Sequence, residues 1–188
     1  MNGKNFQQTH TQFSMIRVAL IGPESTGKST LCDELATQYR SIWVPEFARD
    51  YIEKLNRLYT EEDVLFCIEQ QILLERKNTP LANKIIFNDS EPINGMVWML
   101  DKYNHCPIWI EEEIKENKYD LYLLTYPDIP FVQDNVRENG TRREYFFQWY
   151  QKLLQQFECT FEIIRGTGNL RIENAKKVIE KYFSIRIN

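Results

Sequence analysis

The stretch that decides the fold is residues 16–29, IRVALI followed by Gly22-Pro23-Glu24-Ser25-Thr26-Gly27-Lys28-Ser29. Its first six residues are apolar, which predicts a buried β-strand. Its last eight match the phosphate-binding loop pattern G-x-x-x-x-G-K-[ST]. Residues 30–39 then place Leu31, Leu35 and Tyr39 on one helical face. A strand, a glycine loop and a helix in this order are the setting in which the pattern binds a nucleoside triphosphate.

Each position of the loop has a chemical reason. The glycines let the backbone curl so that successive N–H groups point at phosphate oxygens, and the following helix directs its positive end at the same anion. Lys28 adds a charge near the β- and γ-phosphates, which makes it a catalytic candidate, and Ser29 offers a hydroxyl to Mg²⁺. The predicted cofactors are ATP and Mg²⁺, and the pattern contributes the ATP-binding candidates Gly22, Glu24, Ser25, Thr26, Gly27, Lys28 and Ser29.

Further short apolar runs alternate with helical patterns along the chain. Strands are predicted at 42–44, 84–88, 121–125 and 161–164, and helices at 47–55, 60–77, 93–103, from 107, and at 170–183. This alternation predicts an α/β P-loop NTPase fold, with a five-stranded parallel sheet and helices on both faces. Residues 15–188 are expected to form one kinase domain with a small lid, after a disordered polar lead at 1–14.

Composition excludes several classes of partner. The net charge of −4 predicts no nucleic-acid or anionic-membrane partner, and no apolar stretch is long enough for a membrane span or signal peptide. The four cysteines form no Cys-x-x-Cys pair, so free thiols and a cytoplasmic location are expected. His105-Cys106 has no further ligands at metal-site spacing. The expected partner is a small molecule, and the oligomeric state is not predicted.

Two carboxylates follow predicted strands and therefore belong at the edge of the sheet that carries the glycine loop. Asp89 is a candidate Mg²⁺ ligand, although Asp89 or Ser90 could instead cap the helix at 93–103. Glu46 is a candidate general base for an attacking hydroxyl, although it could instead be a first-turn acid of the helix at 47–55. Asp89 is the second candidate for the base.

A segment rich in proline and arginine, residues 127–143, is predicted to be the lid. Phosphoryl transfer needs positive charge over the phosphates, and a hinged loop carrying Arg137, Arg142 and Arg143 could supply it, with Arg137 the preferred contact. The alternative is an exposed loop whose arginines pair with Asp134, Glu138 and Glu144.

Two residues are candidates for binding the acceptor. Arg49 lies one helical turn beyond Glu46, where it could bind substrate or pair with a nearby acid. Trp98 follows Asp89 on the next helix, so the strand-end rule puts it within reach of the acceptor pocket, whereas core packing is expected for most other aromatic residues.

Four stretches together resemble the NadR-like ribosylnicotinamide kinase domain of bacterial NAD-salvage proteins, from about residue 15 to residue 183. They are GPESTGKSTL from Gly22, PEFARDY from Pro45, NDSEP from Asn88 and DIPFVQDNVR from Asp128. The resemblance implies a P-loop kinase that uses ATP and Mg²⁺ to phosphorylate the ribose 5′-hydroxyl of nicotinamide riboside, the kinase step of NAD salvage.

Residue roles follow from the same resemblance. It implies that Gly27, Lys28, Ser29 and Thr30 bind ATP. It implies that Glu46, Arg49, Asp89 and Glu91 serve the acceptor, and that Arg137 is the lid arginine. The run Gly166-Thr167-Gly168, ahead of Arg171 and Ala175, resembles the loop that borders the adenine in these domains.

Three other functions stay open at this point. Residues 117–120 match the Asn-Lys-x-Asp pattern of guanine recognition, but they precede a predicted strand whereas that motif follows one. The chain could also be an ATPase or a regulatory ATP-binding module. It could, finally, be a kinase for another nucleoside or small hydroxyl compound.

Overall fold

The computed structural model describes residues 15–132 and 140–184. Their centre is a five-stranded sheet in which every neighbouring pair is parallel, with strand order β2-β3-β1-β4-β5. The strands are β1 (Ile16–Ile21), β2 (Ile42–Val44), β3 (Ile85–Asp89), β4 (Leu121–Thr125) and β5 (Phe161–Ile164). All five predicted strands are confirmed, with β3 shifted by one residue.

Helices connect the strands. They are α1 (Lys28–Gln38), α2 (Phe47–Lys54), α3 (Glu61–Asn78), α4 (Pro92–Tyr103), α5 (Ile108–Glu116), α6 (Arg143–Gln156) and α7 (Asn169–Phe183). The sequence analysis did not predict α6. It nevertheless has a helical apolar period, because it buries Phe146, Phe147, Tyr150, Leu153 and Leu154 on one face.

Apolar packing covers the sheet on both sides, as predicted. On one side α1 and α7 contribute Leu31, Leu35, Ala175 and Ile179 to a core with Val18, Leu20 and Phe87. On the other side α3, α4, α5 and α6 build a larger core, which includes Val64, Ile93, Met99, Ile110 and Leu154. A parallel sheet needs both layers because its strands are apolar on both faces.

The start of α4 decides against one alternative role of Asp89. Neither Asp89 nor Ser90 caps this helix, because the carboxylate of Glu91 accepts hydrogen bonds from the N–H groups of Ile93 (2.9 Å) and Asn94 (3.2 Å). Pro92 follows Glu91 at the first helical position, where its missing N–H costs nothing. Asp89 is therefore not used as a cap.

Residues 117–120 lie at the opposite edge of the sheet from the glycine loop, because β4 begins directly after them. There the backbone N–H of Arg17 donates to Asp120 at 2.7 Å, and its guanidinium donates to the backbone oxygens of Asn117 and Lys118. Guanine recognition would need this motif beside the nucleotide, so the GTPase alternative is not supported. No helix within the described ranges is long and apolar enough to cross a bilayer.

Candidate active site

The carboxyl ends of β1, β2 and β3 open into one cavity of about 530 Å³. Its wall includes the whole glycine loop, the β2–α2 junction, the end of β3 and parts of α4 and α6. Most site residues predicted within the described ranges line it: Gly22, Glu24, Ser25, Thr26, Gly27, Lys28, Ser29, Thr30, Glu46, Arg49, Asp89, Glu91 and Trp98. Arg142, Arg143 and the loop Gly166-Thr167-Gly168 are not part of its wall. Arg137 lies outside the described residues.

The glycine loop has the backbone that its sequence requires. Gly22 and Gly27 have φ angles of 142° and 76°, in the region that favours glycine. Thr26 is fully buried, and its hydroxyl lies 2.7 Å from that of Thr125 at the end of β4. This contact ties the loop to the sheet.

Lys28 is the first residue of α1, and its ammonium donates hydrogen bonds to the backbone oxygens of Gly22 (2.9 Å) and Pro23 (3.0 Å). The Lys28 side chain thus links the end of the glycine loop to its beginning. Because its side chain lines the cavity, the charge is already held where phosphate oxygens would bind.

Gly22 has no room for a side chain, so Gly22→Ala is expected to lower the free energy of unfolding by about 2–4 kcal/mol. An added Cβ would lie 2.6 Å from Thr125 Oγ1 and 2.8 Å from its backbone oxygen, on a backbone with positive φ. Denaturant unfolding measures the loss. Gly168→Ala is the control, with a φ of 50° but no atom within 4 Å of the new Cβ, and should lose about 1 kcal/mol. Equal losses would contradict the steric argument.

Asp89 is the most enclosed carboxylate of the cavity, with a relative exposure of 1%. Neither carboxylate oxygen has a hydrogen bond of standard geometry to any described residue, although the nearby Ser29 hydroxyl favours the charged form. Burial raises the pKa of Asp89, against the attraction of Lys28. Two buried oxygens without partners beside a hydroxyl fit the oxygen-donor set that Mg²⁺ prefers.

Within residues 15–132 and 140–184 no group of three or more His, Cys, Asp or Glu side chains could hold a metal by itself. In phosphoryl-transfer sites Mg²⁺ is held by one or two carboxylates together with substrate phosphates. The unpartnered oxygens of Asp89 beside the Ser29 hydroxyl fit this ion as one shared with a nucleotide.

Glu46 lies at the N-cap position of α2, yet its side chain makes no capping hydrogen bond. It lines the cavity, where burial and then the negative charge of Asp89 raise its pKa to about 7, with Lys28 and Arg49 opposing. Arg49 also lies 3.6 Å from Glu53, so its guanidinium has an acid to pair with. A carboxyl group with a pKa near neutrality is suited to accepting a proton.

Part of the cavity wall is aromatic. The indole N–H of Trp98 donates to the hydroxyl of Tyr59 at 3.4 Å, and the two rings meet edge to face with centroids 5.2 Å apart. Phe146 and Tyr150 reach the cavity from α6. Glu91 also lines it, but both of its oxygens are used in the α4 cap, and burial raises its pKa to about 8.

The two described arginines of the predicted lid have structural partners. Arg142 donates to Asp101 on α4 at 2.6 Å. Asp134 and Glu138, two of the acids named in the sequence alternative, lie outside the described residues. Arg143 begins α6, and its guanidinium donates to the backbone oxygens of Ser25 (3.1 Å) and Ile129 (2.9 Å). Arg143 thereby links the glycine loop to the segment that precedes the undescribed residues.

Several residues of the site were missed by the sequence analysis. They are Thr125 behind the loop, Tyr59 beside Trp98, Gln71 on α3, and the ion pair of Arg171 with Asp128. Only Thr125 had a usable signal, since a polar residue at the end of a buried strand lies at the ligand-binding edge. The others reach the site from elements that are distant in sequence.

Fold and cavity together define a P-loop NTPase with the architecture of the P-loop kinases. The chain matches the family described as AAA domain over residues 17–171, and it belongs to that family.

Two relatives with assigned functions are similar over much of the chain. Both are described as the trifunctional NAD biosynthesis/regulator protein NadR. The protein of Escherichia coli K12 is 26% identical over 164 residues, which are 81% of this chain and 38% of the relative. The protein of Salmonella typhimurium LT2 is 26% identical over 135 residues, 69% of this chain and 32% of the relative. The chain thus spans well under half the length of these relatives.

Solved structures share the fold. A NadR protein in complex with NR superposes with a TM-score of 0.82 at 22% identity, covering 93% of this chain and 53% of that one. Thymidylate kinase from Ehrlichia chaffeensis gives a TM-score of 0.62 at 12% identity, covering 88% of this chain and 98% of that one. Deoxyadenosine kinase from M. mycoides gives a TM-score of 0.61 at 12% identity, covering 88% of this chain and 100% of that one. At these identities the similarity establishes the fold.

Proposed function

We propose that the chain is an ATP-dependent kinase that phosphorylates the ribose 5′-hydroxyl of nicotinamide riboside, giving nicotinamide mononucleotide. The observation that carries the proposal is Glu46, a carboxyl group with a pKa near 7 in the same cavity as a complete phosphate-binding loop. A loop of this kind binds the donor, and a base beside it is what an attacking hydroxyl needs. The similarity to NadR supports the choice of acceptor.

The reaction can be assigned to named residues. The loop from Gly22 to Thr30 holds the phosphates of ATP, with Lys28 at the transferred group. The carboxylate of Glu46 accepts the proton of the 5′-hydroxyl while the 5′-oxygen of the riboside forms a bond to the γ-phosphorus of ATP. The bond from that phosphorus to the bridging oxygen breaks, and ADP leaves with the electron pair. Asp89 is the second candidate for the base.

Asp89 and Ser29 would hold Mg²⁺, which in such sites neutralises charge on the phosphate oxygens. Arg49, Glu91 and Trp98 would contact the acceptor. Arg137 would clamp the phosphates from the lid, a role that rests on the sequence alone. All four cysteines are free, which fits action in a reducing cytoplasm.

A coupled assay for ADP release, run over a panel of nucleosides that includes nicotinamide riboside, tests the proposal. We expect ATP turnover to depend on the riboside and the product to carry a 5′-phosphate. Turnover that no nucleoside stimulates would favour an ATPase or a regulatory ATP-binding module. Preference for another nucleoside would keep the kinase assignment and replace the acceptor.

A further inference from the structure

Gln71, on α3, contacts the chain on both sides of Glu46. Its side-chain oxygen accepts a hydrogen bond from the backbone N–H of Phe47 at 2.7 Å. Its side-chain nitrogen donates to the backbone oxygen of Pro45 at 3.2 Å. The residue is buried, with a relative exposure of 8%. One amide therefore holds the peptide groups that precede and follow the proposed base.

The partners allow one orientation of this amide. An N–H group can only donate and a carbonyl oxygen can only accept, so the Gln71 oxygen must face Phe47 and its nitrogen must face Pro45. Phe47 begins α2, and its N–H is one of the first-turn donors that have no partner inside a helix. An N-cap side chain normally accepts from the second or third helical residue, which the Glu46 side chain does not do. Gln71 satisfies the N–H of the first helical residue from another helix, and the Glu46 carboxylate lines the cavity.

The position of α2 depends strongly on side-chain contacts with α3, such as those of Gln71, because α2 has no buried residue of its own. It is attached to α3 through the hydroxyl of Tyr51, which donates to Asp63 at 2.8 Å, and through aromatic contacts of Phe47 and Tyr51 with Phe66. Among these attachments, that of Gln71 holds the backbone on both sides of Glu46, whereas Phe47 contacts Phe66 through its side chain.

We propose that Gln71 is a positioning residue that fixes the direction of the Glu46 side chain toward the transferred phosphate. The inference rests on the proposed function, since it assigns Gln71 a role through Glu46 as base. A displacement of about 1 Å in a catalytic group can lower a rate by about 100-fold. Loss of the clamp should therefore affect the rate of reaction more than the binding of either substrate.

The test compares Gln71→Met with Gln70→Met, which changes the neighbouring, half-buried residue of the same helix. We expect Gln71→Met to lower kcat by about 10- to 100-fold while KM for ATP stays within about 2-fold, and Gln70→Met to behave like the wild type. Gln71→Glu keeps the acceptor for Phe47 but adds a negative charge near Glu46. Its kcat should be intermediate, and the acidic limb of its pH profile should move to higher pH.

Gln71 also lines the cavity, so direct contact with the acceptor is the rival explanation. Kinetic measurements in a Glu46→Gln background distinguish positioning through Glu46 from direct contact with the acceptor. If Gln71 acts through Glu46, adding Gln71→Met there should change kcat little. A rise in KM for the riboside that persists in this background would overturn the positioning role.

A readout without turnover separates failure of this inference from failure of the proposed function. Hydrogen exchange at the Phe47 amide should be faster in Gln71→Met than in Gln70→Met. Unchanged exchange would overturn the clamp even in an active enzyme. Faster exchange in a protein that phosphorylates no nucleoside would keep the hydrogen bonds of Gln71 but overturn both the kinase assignment and the positioning role of Gln71.

Discussion

Replacing Glu46 by Gln is expected to lower riboside-dependent ATP turnover by about 10²- to 10⁴-fold, the range typical for loss of a general base. The amide keeps the size of the side chain but cannot take up the proton of the 5′-hydroxyl. ATP binding should be retained, because the glycine loop and Lys28 are unchanged. Steady-state kinetics and a nucleotide-binding titration measure the two quantities separately.

The pH dependence of the wild type provides a second signature of Glu46. As the proposed base, Glu46 could accept a proton only when deprotonated, and its pKa is raised to about 7, so activity should increase as pH rises through about 7. This rise of activity with pH, the acidic limb of the pH profile, should vanish in Glu46→Gln. Glu69→Gln, an exposed change on α3, is the matched control and should keep both the rate and the limb. Turnover in Glu46→Gln within a few-fold of the wild type would exclude Glu46 as the base and leave Asp89 as the candidate.

The placement of Glu46 and Asp89 shows what the sequence can predict. Each follows a short apolar run, and parallel strands bring their carboxyl ends to one edge of the sheet. No distance information is needed for that inference, because the direction of the strands is enough. The same rule predicted that Trp98 would reach the acceptor pocket, and Trp98 lines the cavity that also holds Glu46 and Asp89.

The partners of these side chains could not be predicted in the same way. Gln71 lies 24 residues from Phe47 in sequence, and which polar group it meets depends on how α3 approaches α2. The cap of α4 depends on which of three adjacent polar residues can turn back on the helix, and the structure selects Glu91. Helix α6 had a readable apolar period, but its first residue, Arg143, falls at the end of the arginine-rich segment assigned to the lid.

Arg171 gives the second large expected effect, because one buried guanidinium holds three loops at the edge of the cavity. It donates to the backbone oxygens of Gly166 (2.6 Å), Tyr126 (2.9 Å) and Thr26, and it pairs with the carboxylate of Asp128. Arg171→Met should lower the free energy of unfolding by about 2–4 kcal/mol, because the hydrogen bonds of a buried guanidinium to three carbonyl oxygens are lost, whereas water can reach the partly exposed Asp128. It should also weaken ATP binding, since Thr26 belongs to the glycine loop. Denaturant unfolding and an ATP titration measure the two losses.

Comparison with two other variants separates the charge of Arg171 from its geometry. Arg165→Met removes an exposed guanidinium that lies 3.5 Å over the ring of Tyr126, and it should lose only about 1 kcal/mol. Arg171→Lys keeps the charge that faces Asp128, but an ammonium lacks the planar fork that reaches three carbonyl oxygens at once. It should therefore recover part of the stability and little of the ATP affinity. Full recovery of both by lysine would mean that charge alone holds the glycine loop in place.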